Sequence, residues 1–261
     1  MSPSRITTLG KLNGGGADSG GGGSFPEIYM SFDKDGNIQD IEYTKIEQFN
    51  MTIAWPYSTL DYSFPNLKSA KNMFKSVTLY VIGSLNNDDA ANSYYYYSLP
   101  ELVDGSSMFY SCNSLGNSWN EVKKLVLHLP KLTNGVNMFY NVCSTYWNAG
   151  YTLEILGNKL EIGSSMFESC GSLRNLYIDL SSLTNGYKMF GSATYNSTRL
   201  NLASVQNIAD TINDLASQGK TGTIDIGMTS SLKSDDETAP INVALAAIRA
   251  KGWTVTEIYR S

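Results

Sequence analysis

One eight-residue pattern recurs five times in this chain, at residues 67–74, 102–109, 132–139, 160–167 and 183–190. Four copies read Leu-x-x-Gly-x-x-Met-Phe, and the first differs only in placing Ala70 where the others carry Gly105, Gly135, Gly163 and Gly186. Repetition at fixed internal offsets, every few tens of residues, marks units that each bury an apolar side on the next. Leu, Gly and Met at three-residue spacing lie along one side of a short helical or 3₁₀-like turn. Leu and Met then face the interior, Gly leaves room where the neighbouring unit approaches, and the Phe after Met seals the joint between units.

A small apolar residue follows each copy: Val77, Cys112, Val142, Cys170 and Ala193. These form one further interior column. Beyond it comes a short alternating run: Leu79-Tyr80-Val81, Leu125 to Leu129, Leu153-Glu154-Ile155, Leu176 to Leu180, and Leu200-Asn201-Leu202. Period-two alternation predicts half-buried strands, which stacked units would align as a parallel sheet. The first strand Leu precedes the next repeat Leu by seven residues in three units, whereas Leu79 precedes Leu102 by 23, which reads as a sixteen-residue insertion. The Met-to-Met steps are 35, 30, 28 and 23, so the minimal unit is about 23 residues and the excess is decoration.

The segments Met108-Phe109-Tyr110-Ser111-Cys112-Asn113-Ser114-Leu115 and Met166-Phe167-Glu168-Ser169-Cys170-Gly171-Ser172-Leu173 resemble the BspA-like leucine-rich repeats of bacterial surface proteins, which also occur in phage and prophage proteins of gut bacteria. The resemblance covers roughly residues 65–258. It implies an α/β leucine-rich-repeat solenoid with short parallel strands, and it brings no catalytic residues, because a fold does not carry a function with it.

The expected organisation is a glycine-rich arm over 1–24, a β-rich N-terminal cap or adaptor over 25–62, the solenoid over 63–203 and an α/β C-terminal cap over 204–261. In the arm, Gly14, Gly15, Gly16, Gly20, Gly21, Gly22 and Gly23 make ordering costly in backbone entropy. The stretch is a flexible linker unless something holds it, and we read it as an attachment strap to a larger assembly. In the cap, Ile28, Met30 and Phe32 alternate, Asp35-Gly36 supplies a hairpin turn, and Ile38 to Tyr43 returns. Residues 33–37 superficially resemble a calcium loop but lack its glycine and its final glutamate. Toward the C-terminus, Ser204 reads as the N-cap of a helix with stripe Val205, Ile208, Ala209, Ile212 and Leu215, stopped at Gly219. A strand over 222–227, a helix opened by Pro240 and a strand from Trp253 are then expected to continue the parallel sheet. Gly219-Lys220-Thr221 follows a helix and lacks the earlier glycine, so it is not a phosphate loop.

Net charge of −5 and a pI near 4.9 give no basic attraction for nucleic acid. No apolar stretch approaches the ~20 residues of a membrane span, and no charged start with an apolar run follows Met1, so no ordinary secretory signal is expected. Three cysteines do not make a paired framework, and Cys112 and Cys170 sit in the packing column. Cys143 is one residue off it. No cofactor or metal site is expected. His128 is the only histidine, which rules out a multi-histidine metal site, and it takes an outward strand position equivalent to Asp179. Glu154 and Asp179 share that face, an arrangement a glycosidase could use in principle, but solvated strand faces carry such charges anyway.

The candidate recognition residues are aromatics in the decorations: Tyr94, Tyr95, Tyr96, Tyr97, Trp119, Tyr146, Trp147, Tyr151 and Tyr195. Rigid amphipathic rings among Ser, Asn and Gly suit adaptable recognition surfaces and stacking on sugars; the plainer reading is that they cover the edges of the units. Absence of a leader, an acidic surface, the arm and these loops together lead us to expect a non-enzymatic virion component of a phage, joined through the arm to other virion proteins and presenting a host glycan or envelope-receptor surface. A bacterial cell-surface adhesin module and a generic protein-binding module are the alternatives. By analogy with virion fibres a homo-oligomer is expected, meeting through the face with Tyr80, Tyr177 and His128.

Overall fold

The computed structural model describes residues 28–32, 38–43, 67–72, 75, 84–86, 94–112, 124–142, 151–191 and 197–260. The arm, the calcium-like residues 33–37, the segment Leu79 to Val81, and Cys143 lie outside these.

The N-terminal alternation gives strands β1 (Ile28–Phe32) and β2 (Ile38–Tyr43), paired antiparallel as expected. The main sheet runs β3-β4-β5-β6-β7, with β3 (Ser84–Asn86), β4 (Tyr94–Ser98), β5 (Lys124–His128), β6 (Thr152–Leu156) and β7 (Asn175–Ile178). β4 to β7 are parallel, and β3 adds antiparallel at the edge. With two helices beyond them the architecture is α/β. Inward residues stack in register: Tyr95 opposite Leu125, Leu125 opposite Leu153, Leu153 opposite Leu176. Tyr95 stands seven residues before Leu102, the offset of the other units. The strand preceding Leu102 is therefore the tyrosine run, which sequence reading assigned to a decorating loop. Four identical residues carry no period-two contrast, whereas tyrosine fits a pleated, half-buried surface well.

A second ladder runs through the repeated pattern itself. Parallel bridges link Ser69, Asp104, Asn134, Ile162 and Asn185 in succession. The N–H of Gly105 donates to Asn134 O at 2.9 Å, that of Ser107 to Val136 O at 2.9 Å, and that of Phe109 to Met138 O at 2.8 Å; the next two units repeat this. From the glycine onward, every second amide thus finds its acceptor in the following unit, whereas Val103 N and Asp104 N donate back to Lys68 O.

Within a unit, i→i+3 bonds such as Met108 N to Gly105 O and Cys112 N to Phe109 O form the expected turns. They do not add up to a 3₁₀ helix, because the third residue of each is left-handed: Ser107 and Ser111 have φ of 55° and 54°, and Asn137 and Asn141 both 54°. A type II turn requires that conformation, and Asn tolerates it better than most residues.

The interior columns are dry. Leu102, Met138, Phe139, Cys112, Val142 and Cys170 are all at most 2% exposed. The Phe rings stack near-parallel from unit to unit: Phe109–Phe139 at 5.3 Å, Phe139–Phe167 at 5.2 Å and Phe167–Phe190 at 5.6 Å between centroids. The repeated glycine is explained by its neighbours. A Cβ on Gly135 would lie 3.0 Å from Met166 Sδ and 3.1 Å from Leu160 Cδ1 of the next unit. Both are flexible side-chain ends, which is why Ala70 is accommodated once. Gly135→Ala is expected to cost about 1–3 kcal/mol by overpacking and Gly135→Val more, measured by urea unfolding; a neutral Gly135→Val would refute this account of the motif.

The C-terminal side departs from expectation in two ways. Leu200-Asn201-Leu202 does not continue the sheet: helix α1 (Leu202–Thr211) begins there, capped by Asn201, whose side chain accepts from Ser204 N. Ser204 is instead buried within the first turn of the helix. α1 lies against the open edge of β7 and supplies what a next strand would. Leu176 N donates to Ser204 Oγ at 2.9 Å, Ile178 N to Asn207 Oδ1 at 3.0 Å and Leu180 N to Thr211 Oγ1 at 3.4 Å. Positions 204, 207 and 211 share one helix face, so a helix satisfies alternate amides of a strand.

The second departure is that β8 (Gly222–Thr229) and β9 (Trp253–Arg260) form their own parallel pair. β8 reaches the repeats through bridges Gly186 to Ile224 and Leu200 to Met228, continuing the second ladder and not the main sheet. Asp225 completes it: Lys188 N donates to Asp225 Oδ2 at 2.6 Å and Phe190 N to Asp225 O at 3.2 Å. Helix α2 (Pro240–Ala250) packs its buried Ile241, Ala244, Leu245 and Ile248 on α1 and β9. Gly219, φ 66°, closes a 3₁₀ turn ahead of β8, so the Gly-Lys-Thr tripeptide forms no phosphate loop.

No helix among the described residues is long and apolar enough to cross a membrane. Ser204→Ala, which strands the buried Leu176 amide, is expected to cost about 1–3 kcal/mol, against at most about 0.5 kcal/mol for the exposed Gln206→Ala; equal losses in urea unfolding would remove the edge-capping role from Ser204.

Candidate functional site

Alternation along β4 to β7 sends one set of side chains into the core and the other outward. The strand register aligns the outward set in rows. One runs Tyr96, Val126, Glu154, Tyr177; the row toward the strands' starts includes Lys124, Thr152 and Asn175; the row toward their ends includes Ser98, His128 and Leu156.

The rows are tied together electrostatically. Lys124 Nζ meets Glu154 Oε2 at 2.5 Å and lies 5.7 Å from the centroid of the Tyr94 ring. Ser98 Oγ and His128 Nδ1 are 3.0 Å apart, and the Tyr96 and His128 rings stack at 6.1 Å with 23° between planes. His128 is thus held on two sides.

At the strands' carboxyl ends the face deepens into a trough of about 390 Å³ between β6, β7 and α1. Its lining includes Glu154, Leu156, Tyr177, Asp179, Asn207 and Thr211. Tyr177 is 43% exposed. Asp179 Oδ1 accepts from Ser181 N at 2.8 Å, which fixes the carboxylate. The two carboxylates noted from the sequence do converge on one depression, but Glu154 is engaged by Lys124.

The aromatic residues singled out from the sequence divide. Tyr95 and Tyr97 are 7% and 4% exposed and belong to the core, so they are not part of a recognition surface. Their direction follows from strand parity: they share the inward face with Leu125 and Leu127. Tyr94 and Tyr96 are half-buried on the outward face. Tyr151 is half-buried, packs on the core, and its carbonyl accepts from Asn175 Nδ2 at 3.1 Å. Trp119, Tyr146, Trp147 and Tyr195, Tyr80 on the expected contact face, and the arm glycines lie outside the described residues. Sequence reading passed over Asn207, whose role depends on the helix meeting β7.

It also passed over a second aromatic column. Tyr110 and Tyr140, each directly after the repeat Phe, stack at 4.8 Å and 7°, with Lys75 Nζ 5.3 Å from the Tyr110 ring centroid. Burial, and then Tyr140 and Glu168 nearby, raise the Tyr110 phenol above its ordinary pKa. The shared offset of the two tyrosines was the available signal.

Among the described residues no group of His, Cys, Asp and Glu is arranged to hold a metal ion. Compared with protein-family models, curated proteins and solved structures, the chain gives no match.

Tyr95→Ser is expected to lower stability by about 3–5 kcal/mol, as for truncation of a buried aromatic, while Tyr94→Ser stays within about 1 kcal/mol. Similar losses in thermal or urea unfolding would contradict the assignment of inward and outward faces.

Proposed function

We propose that this chain is a non-enzymatic display protein of a bacteriophage virion, a fibre, tail or decoration component, in which a BspA-like leucine-rich-repeat solenoid presents a surface for adhesion or host recognition. The observation that carries the reading is the in-register stacking of near-identical units, which turns the outward residues of β4 to β7 into continuous rows of Tyr, Lys, Glu and His side chains. Such a face is rigid, because each strand is fixed by the dry columns beneath it, and rigidity lowers the entropic cost of binding. Its chemistry is that of recognition surfaces: ring faces, short hydrogen-bonding groups and few free charges.

The repeat sequences favour the BspA-like assignment, and the glycine-rich stretch at residues 14–23 supports attachment to other virion proteins. Assembly as a homo-oligomer belongs to the same reading. The second reading, a bacterial cell-surface adhesin module, draws on the same repeat motif.

Immunogold electron microscopy with an antibody to this chain separates the two. Gold on purified phage particles is the expected outcome. Gold confined to bacterial envelopes, with none on particles, would replace the virion reading with the adhesin one.

A further inference from the structure

We propose that the trough between β6, β7 and α1 is a saccharide subsite for a neutral, polyhydroxylated sugar ring; this deepens the recognition reading above and rests on it. A sugar ring presents one apolar C–H face and a rim of hydroxyls, each both donor and acceptor. The trough offers a counterpart to every part of that description.

Tyr177 supplies the flat apolar face. Its side chain is the most exposed of the outward aromatics described on the sheet, and its ring stacks on no other ring or cation among the described residues. Asp179 supplies acceptance: with Oδ1 held by Ser181 N, its second oxygen remains for sugar hydroxyls. Asn207 supplies donation. Its Oδ1 is taken by the Ile178 amide at 3.0 Å, so the amide group is oriented and Nδ2, with no partner among the described residues, is the end left for a ligand. The bond that closes the sheet edge therefore also aims the donor, and a pre-aimed donor need not be ordered on binding.

The same lining argues against other occupants. Among the described residues no lysine or arginine lines the trough, and with Glu154 held by Lys124 the charge left facing it is that of Asp179, so phosphorylated, sulfated or sialylated ligands would meet like charge. An apolar ligand would desolvate the Asp179 carboxylate and the Asn207 amide without pairing them.

The test uses the full chain on an array of neutral glycans and their sialylated or sulfated counterparts, with Tyr177→Ala and Asp179→Asn beside the wild type. Tyr177 is exposed and Asp179 half-buried, and Asp179→Asn keeps the acceptor for Ser181 N, so it carries the test if the tyrosine variant fails to fold. Neutral glycans should bind, each variant should weaken them about tenfold or more, and anionic counterparts should not compete. Neutral binding unchanged in both variants, or a preference for anionic glycans, would overturn the subsite while leaving the display reading intact. Absence of any glycan binding by a chain that still decorates host cells would do the same. A chain found neither on particles nor on cells would overturn the display reading, and the subsite with it.

Discussion

The structure depends on one interaction repeated: from the glycine of the Leu-x-x-Gly-x-x-Met-Phe pattern onward, alternate backbone amides donate to carbonyls of the next unit. For Gly105, Ser107, Phe109 and Ser111 to reach Asn134, Val136, Met138 and Tyr140, successive units must sit at hydrogen-bonding distance along the whole turn. That distance leaves little room for a side chain at the glycine position and places Ser, Asn and Lys188 in the left-handed conformation. Left-handed backbone costs an ordinary residue about 1–2 kcal/mol. Bonds such as Ser107 N to Val136 O and Asn137 N to Ser164 O, together with burial of Leu, Met and Phe in the interior columns, offset it.

A ladder of this kind has a problem at its end, where amides point at nothing. The chain answers differently on its two ladders. On the main sheet, Ser204, Asn207 and Thr211 of α1 stand in for the missing carbonyls; on the second, Asp225 provides a side-chain oxygen for Lys188 and its own carbonyl for Phe190. An exposed edge would otherwise be a template for pairing with another chain. A helix laid against a strand stops that pairing and, because a helix is thicker than a strand, leaves a depression beside β7. The trough at Tyr177 and Asp179 is a by-product of how the sheet is closed.

The tyrosine run shows why the two sides of a strand are hard to tell apart along a uniform sequence. Tyr94, Tyr95, Tyr96 and Tyr97 are chemically identical, yet two fill the core and two face outward, because consecutive side chains on a strand point to opposite sides. Composition identifies them as a group. Only register separates them, and register is set by Leu125 and Leu127 on the neighbouring strand.

The sequence by itself determined the repeat, its interior residues, the antiparallel pair at residues 28–43 and the helices near 205 and 240, because periodic burial leaves a periodic trace in residue type. It also held, unread, the seven-residue offset from Tyr95 to Leu102 that assigns the tyrosine run to a strand. Tertiary structure alone decided that Leu202 starts a helix and not another strand, that Ser204 lies inside that helix instead of capping it, and that β8 joins the second ladder. Each of these choices turns on which buried amide needs an acceptor in three dimensions, and the groups that supply it, Asn207 to Ile178 and Asp225 to Lys188, lie 29 and 37 residues away along the chain. Local pattern records what a residue buries, whereas the partner of a stranded amide is fixed only when the last repeat unit packs against the C-terminal helices and strands.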